Sequence, residues 1–512
     1  MESPEDQEER IPIAVWICAF TFFALQIVFG PSYPMFRDEF YYLACADHLA
    51  LGYVDHPPLS IFVLALWRMV FGESTLSLRV LPSLCGGLIV LLTSGLAKRL
   101  GGGVFAQTLA AISVLAAPTL FGITGFYSMN AFDFLFWLGG FHLLIRLLDA
   151  PPEKSLHLWR VLGVILGAGL LNKISVLALG GGIGAAIVLT PLRAQLRQRG
   201  PWEAAAIAAT IFAPHILWQI RNDWPTLEFI RNASRYKNVV LGPVGFLKSQ
   251  ILDYGPLNFP IWMGGLAWLL LSARARAHRG VAIVFIVAFL AFMNGKAYYL
   301  APALLAPLAA GAVWIETVFV RWSSGWPRLI VATSLIIGAV IPLPVVVPLL
   351  PAEEVGPYLQ WLGIAPKSAE KNSLGVLPQH YADRFGWGEL TRVAASAWSS
   401  LSIEEQARAI VVTSNYGEAG ALNYFGRPLG LPRARSQHNN FFLWGPGNAE
   451  ATIVVTVGIS PDDLRNDFED VQPTASLTHP LAMPYEREHP VTICRRPKAP
   501  LAVIWARGKH FI

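Results

Sequence analysis

The chain has 512 residues, of which 54% are hydrophobic and only 14% charged, with a formal net charge of +5. Soluble domains carry roughly 25% charged residues, so an ordinary soluble enzyme is excluded, and so small a charge gives no reason to expect a nucleic-acid partner. The 17 tryptophans suit a protein with many side chains at lipid–water interfaces.

Residues 1–10 are acidic rather than basic, and no small-residue cleavage site follows Gly30. The first apolar segment is therefore expected to remain as a membrane span and not to be removed as a signal peptide. A helix needs about 20 apolar residues to cross the hydrocarbon core. By that measure spans fall at 11–30, 80–97, 104–120, 127–147, 161–190, 203–220, 251–271, 280–294, 298–318 and 327–350. Asn172-Lys173 interrupts the long stretch 161–190. A lysine in mid-bilayer costs about 2.5–3.5 kcal/mol on insertion scales, so this stretch is expected to be two short helices meeting near one membrane face, for about 11 spans in all. Leu59 to Phe71 contains Arg68 and is too short to cross; it is expected to lie in the interface or re-enter. Gly180-Gly-Gly-Ile-Gly184 carries the spacing of close helix packing.

Between the first span and that interfacial helix the chain reads Arg37-Asp38-Glu39-Phe-Tyr41-Tyr42 and then Gly52-Tyr53-Val54-Asp55-His56-Pro57-Pro58. A loop needed only as a connection has no use for so much carboxylate, imidazole and phenol. Orientation follows from the basic residues. A cytoplasmic N-terminus places Lys98, Arg99, Arg146, Lys154, Arg160, Arg193, Arg197, Arg199, Arg274, Arg276, Arg279, Arg321 and Arg328 in cytoplasmic loops, as the positive-inside rule requires. The acidic start and the basic residues of 221–250 argue the other way. On this topology Asp38, Glu39, Asp55, His56, Arg79, Asp133, Lys173, Lys296, Tyr298 and Tyr299 all fall at the outer face.

Beyond Pro351 the long apolar runs stop. A helix is expected within 378–400, then strand Ala409–Ser414, helix Tyr416–Phe425, strands Asn440–Trp444 and Ala451–Ile459, a short helix 461–468 and strand Val491–Cys494. The expected organisation is a transmembrane domain 1–350, with its catalytic first outer loop at 31–79, and an extracytoplasmic α/β domain 351–512. The latter has no Walker, nucleotide-glycine or zinc spacing and reads as an accessory or lid domain. Cysteines 18, 45, 85 and 494 have no metal or disulfide spacing.

Carboxylates and cations together on one face suit a group transfer from a phosphate. A carboxylate can accept the acceptor's proton, Arg and Lys can take the charge of a phosphate leaving group, and a nearby anion helps an oxocarbenium-like transition state.

Several motifs point the same way: Asp38-Glu39-x-Tyr41-Tyr42, Gly52-Tyr-x-Asp55-His56-Pro-Pro, Ser77-Leu-Arg79-Val-Leu-Pro82-Ser83, Trp218 to Phe229, Gly295-Lys296-Ala-Tyr298-Tyr299 and Ser436-Gln-His438-Asn439 to Trp444. Taken together the chain resembles the membrane-integral GT-C glycosyltransferases of the protein-mannosyltransferase and aminoarabinose-transferase (ArnT-like) type, over nearly its whole length. The resemblance implies a polytopic helical membrane fold with a C-terminal α/β domain, set in a bacterial inner membrane with site and α/β domain facing the periplasm. It implies transfer of a monosaccharide from a polyprenyl-phosphate carrier to lipid A or lipopolysaccharide, a glycan or a protein. Asp38 matches the family's catalytic aspartate and Glu39 its acidic neighbour. Arg79, Lys173, Lys296, Tyr298, Tyr299, Asp133 and His438 match donor-phosphate or substrate positions. Asp55-His56 stands where relatives carry Glu-Lys, and a divalent metal there is left open; no other cofactor is expected beyond the lipid-linked donor. Membrane lipids, that donor and a lipid or glycan acceptor are the expected partners.

Plainer readings exist for the same residues. Asp38-Glu39 could cap a helix, Asp133 could pair with Lys173 for structure alone, His56 could be a turn residue, the lysines could snorkel, and the tyrosines could belong to an interface belt. A transporter or flippase of lipid-linked sugars is the competing function. Transporters tend to show internal repeats and midplane polar residues, and this sequence shows neither.

Overall fold

The structure, a computed structural model, describes residues 10–320, 325–365 and 370–512. The acidic residues 1–9 and the expected cytoplasmic Arg321 lie outside the described residues. The described residues form two compact units, one from those within 10–31, 76–217 and 240–349, the other from those within 32–75, 218–239 and 350–512.

The first unit is helical. Among the described residues five helices are long and apolar enough to cross a membrane, Ile13–Ser32, Thr75–Arg99, Met129–Asp149, Gly200–Arg221 and Ala297–Phe319, and counting each of three bent pairs as one span gives up to eight. The eleven expected from the sequence are not reached by that measure among the described residues. Several apolar runs form helices of only 13–17 residues, namely Leu156–Asn172, Phe259–Leu271, Arg279–Phe292 and Trp326–Val340. The run 104–120 bends by 63° between Val104–Leu115 and Pro118–Thr124, because Pro118 removes a backbone donor. The expected break at Asn172-Lys173 is present: Leu156–Asn172 ends, Lys173 is extended, and Val176–Leu189 begins.

With lipid outside, hydrophobicity alone does not hold such helices together, so small residues that let backbones approach are needed. Phe259–Leu271 and Ala301–Phe319 meet in this way. A Cβ on Gly265 would strike the Pro307 carbonyl, and one on Gly311 would strike the Ile261 carbonyl. In Val176–Leu189 the packed glycine is Gly182, whose Cβ would lie 2.9 Å from Val284 Cα, while Gly180 and Gly184 of the recognised spacing have nothing within 4 Å. Buried polar side chains close backbone gaps inside the unit. Gln26 Nε2 donates to the Phe121 carbonyl (2.7 Å) and Asn258 Nδ2 to that of Ser113 (2.9 Å). Glu316 accepts from the N–H groups of Gly103 (2.6 Å) and Ala106 (3.1 Å), satisfying donors left open where Val104–Leu115 begins.

The second unit is built on a five-stranded sheet of β1 (Ala409–Thr413), β2 (Arg435–Ser436), β3 (Ile453–Val457), β4 (Phe468–Leu477) and β5 (His489–Pro497) in the order β2-β1-β3-β5-β4. β1 runs parallel to β2 and β3, and β5 antiparallel to β3 and β4. β1 and β3 are buried at every position, which explains their continuous apolar runs. Ile410, Val412, Val454, Phe468 and Cys494 pack with Leu501, Ile504 and Trp505 of helix Leu501–Arg507 into one core.

Three expectations fail locally. Asn440–Leu443 is a turn of helix and not a strand. The expected helix at 378–400 is two, Gln379–Ala382 and Trp387–Ser399, separated at Gly386 with φ +92°. The polar loop at 31–79 holds the helix Arg37–Asp47, followed by Leu59–Phe71 as expected. Gly420 seats Tyr416–Phe425 against that first helix. Its Cβ would lie 2.8 Å from Phe40 Cβ and 2.9 Å from the Phe40 carbonyl carbon, so only glycine permits this approach.

Candidate functional site

In the second unit the two acids of the first motif have separate tasks. Helix Arg37–Asp47 opens with both in its first turn, where the helix dipole favours negative charge. Glu39 is fully buried and accepts from the Phe36 N–H at 2.8 Å, satisfying a backbone donor at the start of the helix. Asp38 keeps 35% of its side chain exposed. The Tyr416 hydroxyl lies 2.9 Å from Asp38 Oδ1 and accepts from Arg37 Nη2 at 3.0 Å.

Arg37, which the motif reading passed over, is the hub. Its buried guanidinium also bonds the Tyr485 hydroxyl (2.6 Å) and stands 3.9 Å from Asp383, 3.8 Å from Glu486 and 3.7 Å from Asp38. Its backbone N–H bonds the Asp383 carbonyl at 3.0 Å. Burial opposes its charge, but the Tyr416 and Tyr485 oxygens and the two acids outweigh that and hold its pKa above the usual arginine range. Burial pushes Asp383 up to about 6, with Arg37 pulling the other way. Glu486 is pushed up by burial and by the charge of Asp383. One cation therefore faces three carboxylates, of which only Asp38 is substantially exposed.

The second motif folds over the same helix. The Tyr41 hydroxyl lies 2.8 Å from Asp55 Oδ1, and Asn440 Oδ1 accepts from the Val54 N–H at 2.6 Å. The Thr226 hydroxyl, held by Gln219 at 2.6 Å, donates to the Tyr53 carbonyl at 3.3 Å. His56 is buried, stacks on Tyr42 with ring centres 4.9 Å apart, and points Nδ1 at the Pro57 carbonyl (3.1 Å). Burial raises the pKa of Asp55, while His56 and Tyr41 oppose the rise. His56 Nε2 and Asp55 Oδ1 are 3.9 Å apart. Two donors are fewer than the three or four protein ligands a tightly held ion takes. Among the described residues no group of three or more His, Cys, Asp or Glu side chains gathers to hold a metal ion. His438 is buried, with Nε2 2.9 Å from the Ile512 carbonyl and its ring 4.8 Å from that of Tyr416. Burial lowers its pKa well below the usual imidazole range, with the Ile512 carbonyl opposing that shift.

In the first unit four of the expected residues come together. Asp133, fully buried on helix Met129–Asp149, takes the Ser175 hydroxyl at 2.8 Å and the Lys173 ammonium at 3.4 Å. Lys173 Nζ in turn stands 5.1 Å from the ring centre of Tyr299 and 5.8 Å from that of Tyr298. A cation over an aromatic face is attracted to the ring quadrupole, and the helix break at 172–176 is what brings Lys173 and Ser175 to Asp133. Lys296 is half-buried just before the turn Ala297–Leu300. Arg79 is buried inside Thr75–Arg99 and bonds the Gly30 carbonyl at the end of the first helix, so its fork is committed in part to the backbone of its own unit.

Comparison with known proteins agrees with this architecture. The sequence profile of the dolichyl-phosphate-mannose-protein mannosyltransferase family matches residues 55–218, a stretch that excludes Asp38. The chain is 24% identical over 248 residues to the lipid A galacturonosyltransferase RgtD of Rhizobium johnstonii, covering 48% of this chain and 51% of that protein. It is 29% identical over 127 residues to the undecaprenyl phosphate-alpha-4-amino-4-deoxy-L-arabinose arabinosyl transferase of Pseudomonas aeruginosa, covering 24% of this chain and 23% of that one. The matched region thus spans about half the length or less of these relatives. Among solved structures, ArnT from Cupriavidus metallidurans superposes with a TM-score of 0.63 at 15% identity, covering 93% of this chain and 97% of that one. The chain has the ArnT-like GT-C fold. An Archaeoglobus fulgidus oligosaccharyltransferase also matches, with TM-score 0.53 at 12% identity over 87% of this chain and 68% of that one. A chain with the ArnT-like fold is a multi-span membrane protein, as its five to eight apolar helices require.

The motif reading missed Arg37, Tyr416, Asp383 and Glu486. Arg37 adjoins Asp38 in sequence and could have been noticed there. The other three carry no local signal, because their partners lie hundreds of residues away.

Proposed function

We propose that this protein is a glycosyltransferase that takes a monosaccharide from a polyprenyl-phosphate carrier and gives it to a lipid or glycan acceptor. One observation carries the assignment of its base: in the acid cluster of the second unit, Asp38 alone combines substantial exposure with hydrogen-bonded orientation, whereas Glu39, Asp383 and Glu486 are buried. A proton acceptor must be reachable. Asp38 removes the proton of the acceptor hydroxyl as its oxygen attacks the anomeric carbon. The bond from that carbon to the phosphate oxygen breaks, and its electron pair leaves with the polyprenyl phosphate. Within the first unit, the Lys173 ammonium over the rings of Tyr298 and Tyr299 has the chemistry to receive an anionic, phosphate-linked donor. Glu39 holds the helix start that presents Asp38.

The relatives support the donor class. An ArnT structure with undecaprenyl phosphate bound has the same fold at TM-score 0.58, and the curated relatives are transferases of galacturonate and aminoarabinose by name. The test incubates the purified chain with lipid A and undecaprenyl phosphate bearing galacturonate or 4-amino-4-deoxyarabinose, alongside mass spectrometry of surface lipids and glycans from cells with and without the protein. Acceptor-dependent release of undecaprenyl phosphate, or a sugar missing from one lipid or glycan, is expected. Movement of intact donor across vesicles without cleavage would favour the flippase instead.

The proposed orientation places the α/β-containing unit in the periplasm, because the basic loops near 193–199 and 274–279 belong on the cytoplasmic side. Cysteines introduced at Ser272 and Ser373 should react with impermeant maleimide from opposite sides, Ser373 from outside. Labelling of both from one side would overturn this topology.

A further inference from the structure

We propose that Tyr416 is a positioning residue for the base, fixing which oxygen of Asp38 takes the acceptor's proton. The inference rests on Asp38 being that base. Its geometry lies wholly within the second unit. The Tyr416 hydroxyl has one hydrogen, and two groups lie within reach of its oxygen, Arg37 Nη2 at 3.0 Å and Asp38 Oδ1 at 2.9 Å. A guanidinium carries donors only. The Arg37 contact must therefore use a lone pair of the hydroxyl, which sends its single hydrogen to Asp38. Arg37 Nε also faces Oδ1, at 3.7 Å. Both contacts fall on the same carboxylate oxygen and leave Oδ2 to the substrate.

The relay is held from both ends. Arg37 is anchored by Tyr485, Asp383 and Glu486 and by its own backbone bond to Asp383. Tyr416 begins helix Tyr416–Phe425, whose N-cap Asn415 accepts from the N–H groups of Gly417 (2.8 Å) and Glu418 (3.1 Å). Gly420 lets that helix sit on the Phe40 backbone, two residues from Asp38. The ring itself packs on Tyr41, 4.6 Å away between centres. An aromatic ring locked in this way can hold a hydroxyl at a fixed point, and small displacements of a catalytic group are costly. The structure thus gives the helix after β1 a part in the chemistry, beyond that of a lid.

The experiment compares wild type, Tyr416→Phe, Asp38→Asn and the double variant, with undecaprenyl phosphate-linked galacturonate and lipid A as the assay pair. Phenylalanine keeps the packed ring and removes only the hydroxyl. A hydrogen bond to a charged group is worth about tenfold or more in rate when it acts on the reacting carboxylate. Tyr416→Phe should therefore lower kcat about tenfold and leave KM for donor and acceptor unchanged, while adding nothing to the loss already caused by Asp38→Asn. Turnover in native membranes, normalised to inserted protein, keeps the comparison valid if yields fall. An unchanged kcat in Tyr416→Phe, or the same further loss in the Asp38→Asn background, would overturn the positioning role, since a structural defect acts regardless of the base. Full activity in Asp38→Asn would instead remove the base assignment on which the inference rests.

Discussion

Asp38→Asn should lower sugar transfer by roughly 10²–10⁴-fold, the usual worth of a general base, while the protein still folds and inserts. The substitution is nearly isosteric. It removes the negative charge that accepts the proton and that faces the growing positive charge on the sugar. The Tyr416 hydroxyl can still donate to the amide oxygen, and Glu39 still caps the helix through Phe36, so helix Arg37–Asp47 should survive. Donor binding should persist, placing the loss in kcat. The contrast with Glu39→Gln sharpens the assignment, because a buried cap residue should show its defect in stability before turnover. Measured turnover of Asp38→Asn within a few-fold of wild type would rule Asp38 out as the base.

The second large effect is expected in the first unit. Lys173→Met should destabilise it by about 3–5 kcal/mol, the cost of leaving a buried charge without its partner. Asp133 is fully buried and has Lys173 at 3.4 Å as its cation. The Ser175 hydroxyl supplies a donor but no charge. Replacing both partners with apolar residues, Asp133→Leu with Lys173→Met, should restore most of the lost stability, since buried ion pairs are often no better than well-packed hydrophobic groups. Thermal unfolding of the detergent-solubilised protein reads this directly. A single variant as stable as wild type would show that the pair does not hold the helix break together. The double variant also separates structure from chemistry. If it folds but no longer turns over donor, the ammonium over Tyr298 and Tyr299 serves the substrate as well as Asp133.

By itself the sequence determined what local pattern can carry. Apolar runs with few charges set the membrane class, and the ammonium of Lys173 inside an apolar stretch set the helix break, because neither needs a distant partner. The continuous apolar runs of β1 and β3 and the helix Tyr416–Phe425 were readable for the same reason. Elements whose stability comes from elsewhere were not. β4 is largely exposed and polar, and pairs only with β5, so it lacks the alternation that marks a half-buried strand. Asn440–Leu443 reads as a strand by composition, but Asn440 is held by Val54 and stands beside Tyr41, and that tertiary bond decides its conformation. The site divides along the same line. An acidic pair followed by two tyrosines was visible as chemistry, yet which acid caps the helix and which faces outward depends on how the helix seats. Tyr416 reaches Asp38 across 378 residues of sequence, and Asp383 and Glu486 reach Arg37 only when the sheet and its helices have closed around it. Residue type and spacing announce that a carboxylate is available; only tertiary packing decides which oxygen of which carboxylate is left for a substrate.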